Sequence, residues 1–356
     1  MSCGQTNHNQ YHILSSGGGA RAVLAGPGII AVLEKVGLTD FATVGAVSGS
    51  TIPFALWKRG FNARQLIAMA IDIDFASKLH RTGSRSQLLF AYFMHRQYMR
   101  LRPIKGVIDA TPLGEFLDGL YPEGLPAGEA TEWPDNFWTM AVDGEMIIIF
   151  NNDGVWQIAP DGTRTELSTA PVALGLAVTS SCAIPGVVSS VQFNERFLFD
   201  GACSRAGYCP VEVLRSYFGA EPGNIIAIDV VGEETYLESY LKFWEMVWSR
   251  MPYGGWYLPP PPCNVVTKDD VAVLIKPKLD LLHPLDFSPD TLVKVEAVMS
   301  GIMAAVEALA GAGIVSAERL GRLPELVAAY QSLPRGGKRQ TRAERILALL
   351  REHELY

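Results

Sequence analysis

Residues Tyr11 to Gly60 read YHILSSGGGARAVLAGPGIIAVLEKVGLTDFATVGAVSGSTIPFALWKRG, and the fold class follows from this stretch. It holds two short apolar runs, Tyr11 to Ser15 and Phe41 to Val47, each followed by small residues and then by a helical pattern. Such alternation predicts an α/β fold with a largely parallel sheet, because a helical crossover is what returns the chain to start a parallel neighbour. The first helix is expected to begin near Pro27, since proline suits a first turn, and to stop at Gly37. The second is expected over Ser50 to Arg59, ended by Gly60.

Working outward, Asn62 and Thr111 read as helix N-caps, with Pro112 at a first helical position, inside a mainly helical region that runs to Tyr121. Asn136 to Val142 and Glu145 to Phe150 flank Asp143-Gly144, a hairpin signal, and Asn152-Asp153-Gly154 marks another turn before Val155 to Ile158. Antiparallel strands are therefore expected to extend the sheet. Pro171 to Thr179 reads as a helix, Arg196 to Phe199 as a strand ending at Asp200, and Ile225 to Val231 as a buried strand. Gly254 to Pro262, with four consecutive prolines, reads as a linker or rigid loop. It divides a core over 1–262 from a mostly helical part over 263–356, packed on the same domain, with one more strand at Val271 to Ile275.

In that part a long helix opens at Ser288-Pro289, and Thr341 to His353 forms a basic amphipathic helix behind Lys338 and Arg339. Such a helix either lies on anionic lipid or packs Ile346, Leu347 and Leu350 on the domain and leaves its arginines in solvent.

The 356 residues are 48% hydrophobic and only 19% charged, enough for a large core and unlike a disordered chain. The formal net charge of -7 argues against nucleic acid as a partner. Met1 to Gln10 lacks the basic and apolar segments of a secretory signal, and Leu292 to Ala317 is interrupted by Lys294, Glu296 and Glu307. The expectation is a cytoplasmic protein whose membrane contact, if any, is peripheral. Cys3, Cys182, Cys203, Cys209 and Cys263 show no zinc spacing and read as reduced thiols, with Cys203 and Cys209 near one another.

Three features carry chemistry. Ser48 sits in Ala46-Val47-Ser48-Gly49-Ser50 between a strand and a helix, with small residues two places before and after, as a sharp nucleophile turn requires. A close helix-strand contact has the same need. Ser16-Gly17-Gly18-Gly19-Ala20-Arg21 ends the first strand, and its glycines let backbone N–H groups converge on a developing oxyanion. Gly17, Gly19 and Ala22 equally match the dinucleotide fingerprint, with Asp40 near the ribose-binding distance. Asp200-Gly201-Ala202 closes a predicted strand, where an aspartate either takes a serine's proton or caps a turn. His8, His12, His80, His95, His283 and His353 lie in no triad motif, so a Ser-Asp dyad is what remains, and His12 reads as a packed core residue.

Taken together, these motifs resemble the patatin-like phospholipases. Ser16 to Arg21 is similar to the family's oxyanion loop, Ser48 to its nucleophile and Asp200-Gly201-Ala202 to its aspartate-glycine motif. Ala177 to Gly186 is similar to a stretch under the active site, and the likeness spans about Tyr11 to Val231. Ala22, Ala46 and Ser50 stand where patatins usually carry glycine, and there the chain looks more like the cytosolic phospholipase A catalytic domain.

The resemblance implies a three-layer α/β/α sandwich with a mainly parallel sheet and a helical C-terminal extension. It implies Ser48 and Asp200 as catalytic, Gly17, Gly18, Gly19 and Ala20 as the oxyanion hole, and Arg21, Gly49 and Gly201 as supports. The expected activity is hydrolysis of a phospholipid or other fatty-acyl ester through an acyl-enzyme, without metal or organic cofactor. An acyltransferase, an inactive lipid-binding relative and a dinucleotide-binding oxidoreductase are the alternatives. Arg21 would orient the loop, contact a lipid phosphate or form a stiffening salt bridge. Leu88 to Leu101 and Tyr236 to Tyr257, rich in aromatic residues, read as an acyl-chain lid or as core.

Overall fold

The computed structural model describes residues 10–83, 106, 108–122, 133–184, 187–231, 266–334, 336 and 338–356. Both aromatic stretches, the proline-rich loop, Cys3, Cys263, His8 and His95 lie outside the described residues. The chain enters through β1 (His12–Ser15), α1 (Ala20–Lys35), β2 (Thr43–Ala46), α2 (Thr51–Lys58) and α3 (Ala63–Asp72). A separate two-stranded ribbon of β3 (His80–Arg81) and β4 (Ile108–Asp109) precedes α4 (Thr111–Asp118). Next come β5 (Phe137–Asp143), β6 (Met146–Asn151), β7 (Gly154–Ile158), β8 (Arg164–Ser168) and α5 (Leu174–Ser181). They are followed by β9 (Val191–Phe193), β10 (Arg196–Asp200), α6 (Val211–Phe218), β11 (Ile225–Ile228) and β12 (Val273–Ile275). Four helices finish the chain: α7 (Thr291–Gly311), α8 (Ala317–Leu320), α9 (Leu323–Ser332) and α10 (Arg339–Glu352).

This is an α/β fold. Its main sheet runs β12-β11-β1-β2-β5-β6-β7-β8, and the first five strands of that order are mutually parallel. From β5 onward the strands are antiparallel neighbours, turning at Gly144 and Gly154, both at positive φ. Successive residues point to opposite faces. Ile13, Val44, Ala46, Ile226 and Ile228 meet the helices of one layer, while Leu14, Val47, Trp138, Ile225 and Ala227 meet α6 on the other. Apolar side chains on both faces are why these strands read as continuous apolar runs.

The structure corrects two expectations about helices. Helix α1 starts at Ala20, well before Pro27, which lies inside it. The start is set by Gly19, whose positive φ turns the loop into the helix and whose carbonyl accepts from the N–H groups of Ala22 and Val23 at 3.1 and 3.3 Å. Thr111 is the first residue of α4 and Ala110 its cap. The basic helix α10 packs on the domain, with Ile346 and Leu350 fully buried. Asn62 does cap α3, accepting from the Gln65 N–H at 2.9 Å. No helix among the described residues is long and apolar enough to cross a membrane.

The segment after residue 262 is built into the same sheet through β12, and its helix α7 packs along α1. Their crossing is backbone-close. A Cβ on Gly28 would meet the Val298 carbonyl oxygen at 2.1 Å, and one on Gly301 the Ala25 oxygen at 2.2 Å. Gly311, at the end of α7, has open space instead. Gly311→Ala is therefore expected to stabilise by about 0.5 kcal/mol through helix propensity, whereas Gly301→Ala destabilises by ~2 kcal/mol through overpacking. Urea unfolding of both variants checks this pair, and equal signs would contradict the packing.

Candidate active site

The edge of β5 brings the two key side chains together. Near its start β5 pairs with β2, Ala46 lying opposite Thr139; farther along the same edge it pairs with β10, Asp200 lying opposite Ala141. Since β2 runs parallel and β10 antiparallel to β5, their C-terminal ends point at one another. Ser48 leaves the first end and Asp200 closes the second. Although 152 residues apart in sequence, they are linked by a 2.6 Å hydrogen bond from Ser48 Oγ to Asp200 Oδ2. Both are almost fully buried, at 3% and 2% exposure.

Ser48 adopts φ of 55°, a left-handed conformation that costs a residue with a Cβ about 1–3 kcal/mol and persists only when its surroundings enforce it. Those surroundings are hydroxyl groups. The Ser48 N–H donates to Ser181 Oγ at 2.9 Å, and Thr51 Oγ1 donates to the Ser48 carbonyl at 2.6 Å. Just before the turn, Ser50 Oγ accepts from the Val47 N–H at 3.0 Å. Ser50, where a glycine was the usual expectation, thus acts as a latch. The sequence assigns none of Ser181, Thr51 or Ser50 this role, although Ser181 lies in the Ala177 to Gly186 stretch that the resemblance places under the active site and Ser50 is one of the small residues of the turn.

Asp200 is held from the other side. Its Oδ1 accepts from the Ala202 N–H at 2.8 Å, and its own N–H donates to Ala183 O at 3.0 Å. Burial pushes its carboxyl up to about 7, against the opposing pull of the Ser48 hydroxyl and the Ala202 N–H. Gly201 allows this bend because a Cβ there would strike the Met140 carbonyl oxygen at 2.3 Å. Cys182 lies nearby, 3.7 Å from Thr51 Oγ1. Desolvation and then the Asp200 charge push its thiol well above the usual range, which keeps it protonated.

The glycine loop is walled on every side. A Cβ on Gly17 would meet Ala202 at 2.8 Å and Ser48 at 3.3 Å, one on Gly18 would meet Val230, and one on Gly19 the Pro284 oxygen. Gly49 in turn lies against Gly19, where a Cβ would be 2.2 Å from its oxygen. Two amides of the loop are already engaged: the Gly17 N–H donates to Tyr208 O at 2.9 Å and the Ala20 N–H to Pro284 O at 2.7 Å. The expectation that all four residues from Gly17 to Ala20 offer their N–H groups to an oxyanion is corrected accordingly.

Arg21 is buried, and its Nε and Nη1 donate to Leu282 O at 2.7 Å and Val231 O at 2.9 Å. It ties the first turn of α1 to the segment before α7 and to Val231, just past β11; the resemblance names Arg21 as a support, but its partners are main-chain carbonyls, which the sequence could not reveal. Asp40 corrects the dinucleotide reading. It precedes β2 and accepts from Gln10 Nε2 at 2.7 Å, at the amino ends of the strands and away from the glycine loop. His12 Nδ1 is paired with Thr43 Oγ1 at that same end, 2.9 Å away. Cys182, Cys203 and Cys209 are free thiols.

No family model matches the sequence, and no curated protein matches it. Among solved structures the chain is similar to VipD from Legionella pneumophila, with a TM-score of 0.45 and 12% identity over 85% of this chain and 67% of that one. It is similar also to human GIVD cytosolic phospholipase A2 in complex with a fluorophosphonate inhibitor, with a TM-score of 0.45 and 13% identity over 91% of this chain and 61% of that one. The type III effector protein ExoU gives a TM-score of 0.32 and 15% identity over 98% of this chain and 69% of that one.

The raised pKa of Asp200 has a consequence for stability. A carboxyl whose folded pKa lies above its unfolded value favours the folded state at low pH, and that contribution is lost as pH rises through about 7. Asp200→Asn removes the charge, so it should melt roughly 5 °C higher than wild type above about pH 8, with the gap closing below about pH 4. Melting curves across that range check it. A gap independent of pH would mean that Asp200 titrates like an ordinary carboxyl.

Proposed function

We propose that this chain is a serine-dependent acyl hydrolase acting on lipid esters, with Ser48 as nucleophile and Asp200 as its acid/base partner. The observation that carries this reading is the 2.6 Å contact between Ser48 Oγ and Asp200 Oδ2 at a strained strand-to-helix turn. The resemblance of the three motifs to patatin-like phospholipases supplies the substrate class.

Ionised Asp200 takes the hydroxyl proton as Ser48 Oγ adds to the ester carbonyl. We assign the oxyanion that forms to the N–H groups of Gly18, Gly19 and Gly49, because the glycine loop lies against Ser48 at Gly17 and against Gly49 at Gly19. Collapse of the tetrahedral adduct breaks the ester C–O bond, and the proton on Asp200 leaves with the alcohol. Water then adds to the acyl-enzyme, giving its proton to Asp200, and the fatty acid departs as Ser48 recovers its hydrogen. A base with a pKa near neutrality suits both the uptake and the return of that proton. An alcohol replacing water in the second half makes the same site an acyltransferase.

Ser48→Ala should abolish fluorophosphonate labelling and lower p-nitrophenyl ester turnover by at least ~10³-fold while leaving the circular dichroism spectrum unchanged. Labelling that survives the substitution sinks the assignment. Wild-type kcat/KM should rise with pH to a plateau, with a midpoint at about 7, because only ionised Asp200 accepts the proton. A flat profile from about pH 5 to 9 would exclude Asp200 as the base.

A further inference from the structure

We propose that Ser181 is a positioning residue for acylation, holding Ser48 at the geometry in which its hydroxyl faces Asp200; this rests on the hydrolase reading above. The argument begins with an amide that has no strand or helix to serve. The ladder between β1 and β2 ends at Ala46, the Val47 N–H still reaches Ser15 O at 3.1 Å, and the positive φ of Ser48 turns its own N–H out of the ladder. A buried N–H must find an acceptor, and here the acceptor is Ser181 Oγ.

Helix α5 carries three hydroxyl residues in a row. Thr179 Oγ1 and Ser180 Oγ donate back into their own helix, to Gly175 O and Leu176 O, both at 2.7 Å. That is the ordinary behaviour of such side chains within helices. Ser181, the last residue of the helix, instead turns its oxygen to the elbow. Two residues later, Ala183 O accepts the Asp200 N–H at 3.0 Å. One three-residue segment therefore grips both members of the dyad by their main-chain amides, and the 2.6 Å contact between their side chains depends on it. The substituents that matter are an acceptor oxygen at 181 and the position of the helix end; no contact with substrate is required.

The test compares Ser181→Ala with Ser180→Ala, a neighbour that is equally buried but whose hydroxyl serves only α5. Ser181→Cys, of similar size with a weak sulfur acceptor, is the second variant should the alanine form fail to fold. The expected result is a ten- to hundredfold slower fluorophosphonate labelling of Ser48 in the 181 variants, with kcat for a p-nitrophenyl ester falling and KM nearly unchanged. Ser180→Ala should label like wild type. Wild-type rates in the 181 variants, or equal slowing in the 180 variant, overturn the proposal. Hydrogen exchange at the Ser48 amide gives a readout independent of turnover: its protection should be lost at 181 and kept at 180. If wild type neither labels nor hydrolyses, the hydrolase reading falls and the kinetic role with it, and amide exchange alone then decides whether Ser181 holds Ser48.

Discussion

The architecture turns on one edge of β5. Two strands compete for that edge, β2 from one end and β10 from the other, and because they run in opposite directions their C-termini meet head to head. A hydrogen-bonded ladder fixes each strand to within a fraction of an ångström, so the meeting point is defined by main-chain geometry before any side chain is considered. Ser48 and Asp200 occupy that point. The five-strand parallel half of the sheet supplies the elbow and the glycine loop, and the antiparallel half supplies the aspartate.

Holding such a pair in the interior is costly on two counts. Ser48 is in a left-handed conformation, and Asp200 is a carboxyl removed from water. The structure answers with main-chain and hydroxyl partners placed around both residues: Ser181 and Thr51 on the Ser48 backbone, Ala202 and Ala183 on Asp200. No cation faces Asp200 among these bonds, which is why burial outweighs hydrogen bonding and its pKa rises. A salt bridge at this point would have held the carboxyl ionised, a poor fit to the proton transfer proposed for it.

The glycine loop depends on parts of the chain that are remote in sequence. Pro284 O takes the Ala20 N–H and closes on Gly19, while Leu282 O takes Arg21 Nε. Helix α7 follows directly and lies against α1 at glycine-to-carbonyl distance. The segment beyond residue 262 is thus a wall of the site as well as a cover for the sheet. A loop with three glycines would otherwise be free to sample many conformations, and these contacts remove that freedom in advance.

Local sequence determined the strand-loop-helix units around Gly17 to Gly19 and Ser48, the hairpin at Asp143-Gly144, the cap at Asn62 and the placement of Asp200 at a strand end. Each of these rests on a short-range rule about turn residues, caps or apolar period, so a window of a few residues contains it. The start of α1 differs from the local signal at Pro27 because proline is tolerated inside a helix whose beginning is fixed by Gly19 and by a carbonyl from residue 284. Only the tertiary structure decided strand order, the shared edge of β5, which loop amides are already engaged, and the roles of Ser181, Thr51 and Pro284. Apart from Thr51, whose partner is the Ser48 carbonyl three residues away, those depend on groups distant from one another along the chain, and a carbonyl or an N–H looks the same at every position in a sequence.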